Sequence, residues 1–293
     1  MVERRRAMRT VHGRGRAAPR PRTQRSRWAS LFGPGEPRAE AAPVTLSEFE
    51  TALDNGEFDV HYQLVVTADG RPAGAEALLR WRRPGFGLVT ASEFVDLIAN
   101  TEILRLTTDL VLSELIAALS LIRGRLNVER AYLAFNVTAR QLEDPMLPSR
   151  LLAFLQAEQA TGDGLVAELT NPAGVSDWPA IRTAVSELAR LGVGVAVEDS
   201  GVEAGDLLYR DNGLIPIVKL GQTIVADSHR WQHERDVIAA TVALCKAEGT
   251  TIVAQGIEHP ETMAWLAELG VDFLQGMHIA PPGPLSELLA LLR

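Results

Sequence analysis

The 293-residue chain has one cysteine, Cys245, so an intrachain disulfide is excluded and a reducing, cytoplasmic setting is the expectation. A small buried apolar role suits that residue better than a nucleophilic one. No apolar run reaches the eighteen or so residues that span a bilayer, so no transmembrane segment is expected. Arg4-Arg5-Arg6 is not followed by the apolar stretch of an export signal, which predicts a soluble protein that is not exported. Zinc-ligand spacing is missing around His61, His259 and His278. Neither Gly13-Arg14-Gly15-Arg16 nor Gly192-Val193-Gly194 carries the full pattern of a phosphate loop. Lysine is nearly absent, with two against 27 arginines, so a lysine inside a strand-like run draws notice.

Charge is unevenly spread. Residues 1–45 hold eleven Arg and three Glu, while the chain as a whole carries −8. This Arg/Pro-rich segment has too few large apolar residues to offset its ordering entropy and reads as a disordered tail. Its patch Arg25-Ser26-Arg27-Trp28-Ala29-Ser30-Leu31-Phe32 can contact nucleic acid or an anionic surface. The strongly acidic remainder is a poor general nucleic-acid binder.

From residue 46 to 293 the pattern alternates as one domain. Strand-like runs near 59–67, 73–81, 131–138, 165–170, 192–199, 214–220, 250–256 and 272–276 are rich in Val, Ile, Leu and Ala. Helical patterns occupy 46–55, 92–122, 148–160, 178–190, 229–247, 259–269 and 284–292. Eight strands interleaved with helices predict an α/β fold, a (β/α)8 TIM-like barrel. Only five residues, Ala68 to Pro72, separate the first two runs, which is too short for a helical crossover. An antiparallel first strand is therefore expected.

Several of these runs end in a residue that can hold a metal or a proton: Glu76, Asn136, Glu168, Glu198 with Asp199, Lys219 and Gln255. Burying an unpaired polar group is costly, so one near the end of each core strand points to a shared site at the barrel mouth. Carboxylates and an amide oxygen are hard ligands that suit Mg²⁺ or Mn²⁺, and adjacent acids can bridge two ions that clamp a phosphodiester.

The segment Gly74-Ala75-Glu76-Ala77-Leu78-Leu79-Arg80-Trp81 resembles the signature of the EAL-domain phosphodiesterases of bacterial cyclic di-GMP signalling. The resemblance runs from Tyr62-Gln63 to Pro282, through Asn136-Val137-Thr138-Ala139-Arg140-Gln141-Leu142, Glu168-Leu169-Thr170, Val218-Lys219-Leu220, Gly256-Ile257-Glu258 and Gln275-Gly276. It implies an EAL-type barrel that cleaves cyclic di-GMP to pGpG. It also implies Mg²⁺ or Mn²⁺ ligands at Glu76, Asn136, Glu168, Glu198 and Asp199, with Lys219, Glu258 and the position of Gln255 in the chemistry. Gln63, Leu78, Arg80 and Gln275 would then border the nucleotide.

The chain departs from that pattern where the reaction would occur. Gln255 stands for an essential glutamate, Gly221 for an aspartate, and Glu198 for an aspartate one methylene shorter. Asn171 replaces a glutamate that anchors a mobile loop, and that loop, at 200–206, is rewritten. Leu64 and Ala280-Pro281 replace residues that border the nucleotide. A ligand displaced by about 1 Å can cost roughly a hundredfold in rate, and losing a general base costs about 10² to 10⁴. The expectation is a degenerate, catalytically impaired EAL domain that binds cyclic di-GMP as a sensor or acts as a protein-interaction module. A weak, metal-dependent phosphodiesterase is the alternative. Expected partners are cyclic di-GMP, an unidentified protein and a second copy of the chain.

Overall fold

The computed structural model describes residues 44–99, 101–126, 131–170, 172–199, 215–228 and 230–292. All but the last two residues of the basic tail, the loop at 200–206 and Asn171 lie outside the described residues.

Among the described residues nine strands form one sheet: β1 (Phe58–Thr67), β2 (Pro72–Arg83), β3 (Gly87–Thr90), β4 (Tyr132–Thr138), β5 (Leu165–Thr170), β6 (Gly194–Asp199), β7 (Ile217–Leu220), β8 (Thr251–Ala254) and β9 (Phe273–Leu274). Their order is β1-β9-β8-β7-β6-β5-β4-β2-β3, and a further pairing of β1 with β2 closes eight of them into a barrel. The strand β1 runs antiparallel to both its neighbours, whereas β2 and β4 to β9 pair in parallel. The short Ala68–Arg71 turn thus makes the expected hairpin, and its register sets Gln63 opposite Glu76. Strand β3 is not among the eight expected runs; it is a four-residue flap on the outer part of β2, too short to show a period of its own.

The helix expected over 92–122 is broken. A short turn, Val95–Ile98, precedes the long helix Glu102–Arg123, and Thr101 between them is extended at the N-cap position. Likewise the helix expected from 229 begins at Gln232, after a separate turn of helix at Gln222–Asp227. Among the described residues no helix is long and apolar enough to cross a membrane.

Successive side chains on a strand point to opposite faces. On β2, Ala75, Ala77, Leu79 and Trp81 turn outward and join Leu112, Leu115, Ile116 and Leu119 of the long helix in the main core. A second, smaller core of Val65, Tyr132, Ala134, Val166, Ala196 and Val253 fills the barrel interior. Asn136, Glu168, Glu198 and Gln255 each follow one of these interior residues by two positions. The period that buries the floor therefore also sends the polar residues to the barrel's C-terminal end.

Candidate functional site

Local sequence fixes where each polar side chain stands. Strand β4 stops at Thr138, whose hydroxyl accepts from Gln141 N at 3.3 Å while Gln141 Oε1 accepts from Thr138 N at 3.0 Å. This capping box ends the strand two residues past Asn136. Gln255 and Gln275 follow β8 and β9, and their backbones are locked together: Ile257 N donates to Gln275 O and His278 N to Ile257 O. A Cβ at Gly276 would lie 2.2 Å from Ile257 O, so only glycine permits that approach.

At the centre is Lys219, 2% exposed. Its Nζ donates to Glu76 Oε2 at 2.7 Å and to Glu168 Oε2 at 2.5 Å. The second oxygens of both carboxylates are also held, Glu76 Oε1 by Asn136 Nδ2 at 2.8 Å and Glu168 Oε1 by the Tyr132 hydroxyl at 2.6 Å. Gln275 Nε2 donates to both Glu76 Oε2 and Gln63 Oε1 at 2.9 Å, and Gln63 Nε2 donates to Ala280 O at 3.1 Å. Gln255 Nε2 donates to Glu198 Oε1. One network therefore crosses the barrel from β1 to β9 and ties together most of the polar residues expected at the mouth.

Its electrostatics follow from burial. Burial pushes Glu76 up, but the Lys219 ammonium and hydrogen bonds from Lys219, Asn136 and Gln275 outweigh it and hold the carboxyl below its ordinary range. Burial and then the charge of Glu76 push Glu168 up to about 7, against the pull of Lys219. Glu198 is pushed up to about 8, chiefly by burial. Burial lowers Lys219, yet Glu168, Glu76 and Glu198 together raise it well above its ordinary value. The site near neutral pH thus contains an ammonium, an ionised Glu76 and two carboxyls, Glu168 and Glu198, that hold protons far more readily than a free glutamate.

Other expected residues stand around this network. Arg80 is buried on the same strand face as Glu76 and Leu78, and its Nη1 donates to Leu79 O at 2.9 Å. Burial draws its guanidinium down to about 10, and the charges of Glu76 and Glu93 oppose that shift. Leu78 is 1% exposed. Glu258 is exposed, three residues beyond Gln255. Asp199 pairs in register with Leu220 at the end of β6. Sequence alone marks Tyr132 only as the start of an apolar run; its position four residues before Asn136, on the same strand face, is the signal that could have found it.

The sequence model of the family described as "EAL domain" matches residues 46–282. "Cyclic di-GMP phosphodiesterase PA2567" of Pseudomonas aeruginosa is 30% identical over 87% of this chain. The match spans 43% of that longer protein, so this chain corresponds to less than half of it. "Uncharacterized protein Rv1357c" of Mycobacterium tuberculosis is 29% identical over 81% of this chain and 79% of its own length. Among solved structures, PaMucR phosphodiesterase in complex with c-di-GMP superposes with a TM-score of 0.76 at 27% identity. That superposition covers 83% of this chain and 98% of PaMucR's.

Proposed function

The chain belongs to the EAL-domain family, and from that membership we propose that it is a catalytically impaired member that binds cyclic di-GMP as a sensor. The observation that carries this reading is the Gln255 amide donating to Glu198, where the family resemblance calls for a second carboxylate. An amide cannot accept a proton near neutral pH, so it offers neither a general base nor a negative ligand.

The binding half is retained. Two carboxylate oxygens, Glu76 Oε2 and Glu168 Oε2, face one point that a cation already occupies, the Lys219 ammonium. With that ammonium as a stand-in, Glu76, Glu168 and the carbonyl of Asn136 form a donor set of the right chemistry for one hard divalent ion. Such an ion, when bound, would supply positive charge against the phosphates and polarise a water. At the Glu198–Gln255 pair a neutral amide stands in the catalytic position, so a carboxylate that could hold or move a proton there is missing.

Binding of the dianion falls to this chain's own groups. Lys219 and Arg80 bring positive charge to a buried setting, where charge-assisted bonds to phosphate are strong. Among the described residues the buried Gln275 Oε1 has no hydrogen-bond partner, which leaves an acceptor for a ligand donor or a water. Metal dependence is general among EAL phosphodiesterases. The choice of Mg²⁺ or Mn²⁺, a homodimer and a protein partner belong to this reading as proposals, as does contact of the tail with nucleic acid.

The competing reading is a slow phosphodiesterase, favoured by the convergence of Glu76, Glu168 and Lys219. Chromatography of cyclic di-GMP incubated with the protein and Mg²⁺ or Mn²⁺ separates the two. The impaired reading expects no accumulation of pGpG above the protein-free control, and steady multiple-turnover production would overturn it. The double change Gln255→Glu with Glu198→Asp restores the missing carboxylate and the shorter acid, yet activity should stay at least about 10²-fold below that of an intact relative, since groups acting as a unit are not repaired singly. Recovery to the relative's rate would show that these two positions alone silence the site.

A further inference from the structure

Tyr132 links the apolar floor of the barrel to the polar network above it. It is 2% exposed, and its ring lies against Phe273 with centroids 5.5 Å apart. From that floor the hydroxyl donates to Glu168 Oε1 at 2.6 Å. Pinning one oxygen of a carboxylate fixes the direction of the other, and Glu168 Oε2 points at Lys219 Nζ. Asn136 does the same for Glu76, whose Oε2 faces the same ammonium.

We propose that Tyr132 is a positioning residue of this site, holding Glu168 so that its Oε2 is presented to whichever cation lies between Glu168 and Glu76, the Lys219 ammonium or a divalent ion. It acts through Glu168 and does not touch the cation itself. The inference rests on the proposed function only in taking Glu168 as a ligand residue. Its test uses Mn²⁺ alone, so it and nucleotide binding can fail separately.

Tyr132→Phe keeps the ring and its contact with Phe273 and removes only the donor. Free Mn²⁺ is followed by electron paramagnetic resonance during titration of the full chain, beside metal-free thermal melts. The wild type should take up Mn²⁺, and Tyr132→Phe should weaken that uptake about tenfold or more, the usual effect of losing an outer partner of a ligand. Val166→Ala opens a void in the same interior layer without touching the hydroxyl. It should lower the melting temperature while leaving Mn²⁺ affinity within about twofold, because the Tyr132–Glu168 hydrogen bond is kept. In a Glu168→Gln background, Tyr132→Phe should no longer alter Mn²⁺ affinity. A wild type that takes up no Mn²⁺ overturns the proposal. So does Tyr132→Phe within about twofold of the wild type, or a Val166→Ala variant that weakens Mn²⁺ as much, since either reduces Tyr132 to a packing role.

Discussion

Replacing Lys219 with methionine should destabilise the folded protein by about 3–5 kcal/mol, the usual penalty for removing one partner of a buried ion pair. Methionine fills much of the volume but leaves Glu76 and Glu168 buried face to face, each with an oxygen that has lost its charged donor. Coulomb attraction to the ammonium is what keeps Glu76 ionised at 3% exposure. Without it one of the two carboxyls must take up a proton on folding. Adding Glu168→Gln should restore part of the loss, because the second buried charge then disappears as well. Urea unfolding of the wild type, the single variant and the double variant checks this. A loss below about 1 kcal/mol for Lys219→Met would mean that the network is solvated rather than buried, as for a surface pair.

The second large effect is a fall in stability with rising pH. Glu168 at about 7 and Glu198 at about 8 lie far above an unfolded glutamate, so the folded state keeps protons that the unfolded chain releases. Their contribution is complete below the unfolded value and is lost as pH rises through 7 and 8. Glu76, held low, acts with the opposite sign, but only below the ordinary carboxylate range. Lys219 matters only at strongly alkaline pH. His61 is lowered by burial and by Arg80, so it opposes the trend below about 6.5, its unfolded value. The clean window therefore runs from about pH 6.5 to about 8.5. In metal-free buffer the protein should lose about 2–3 kcal/mol across it, since a tenfold difference in proton affinity between folded and unfolded chain is worth about 1.4 kcal/mol. Saturating Mn²⁺ should flatten the slope by displacing the Glu168 proton. Stability that holds level or rises between these pH values without metal would contradict the charge states assigned to the two glutamates.

Much of the site was legible because strand periodicity and chemistry agree. Glu76, Asn136, Glu168, Glu198 and Lys219 stand at the ends of short apolar runs, and the closed barrel brings them to one mouth. Tyr132 was hidden by the same logic, since a tyrosine opening a Leu-Ala-Phe run satisfies the core pattern whether or not its hydroxyl has a task. The donor direction of Gln255 was equally hidden: sequence identifies an amide but not which carboxylate it faces. The family resemblance implies a role for Glu258, and the chain, with Gly256 at positive φ, leaves it exposed beyond Gln255. Strand β3 and the break before Glu102 depend on packing over a few residues, too short a stretch for a periodic signal.

A sensor role requires that the retained half of the site bind cyclic di-GMP without turning it over. Calorimetric titration of the full chain with cyclic di-GMP in buffer containing EDTA tests this most directly, with Arg80→Ala titrated alongside. Saturable heat is expected for the wild type, with a weakening of about 1.5–3 kcal/mol in the variant, the worth of a charge-assisted hydrogen bond. An absence of heat from the wild type, with and without Mg²⁺ or Mn²⁺, would rule the sensor role out and leave the barrel as a protein-interaction scaffold.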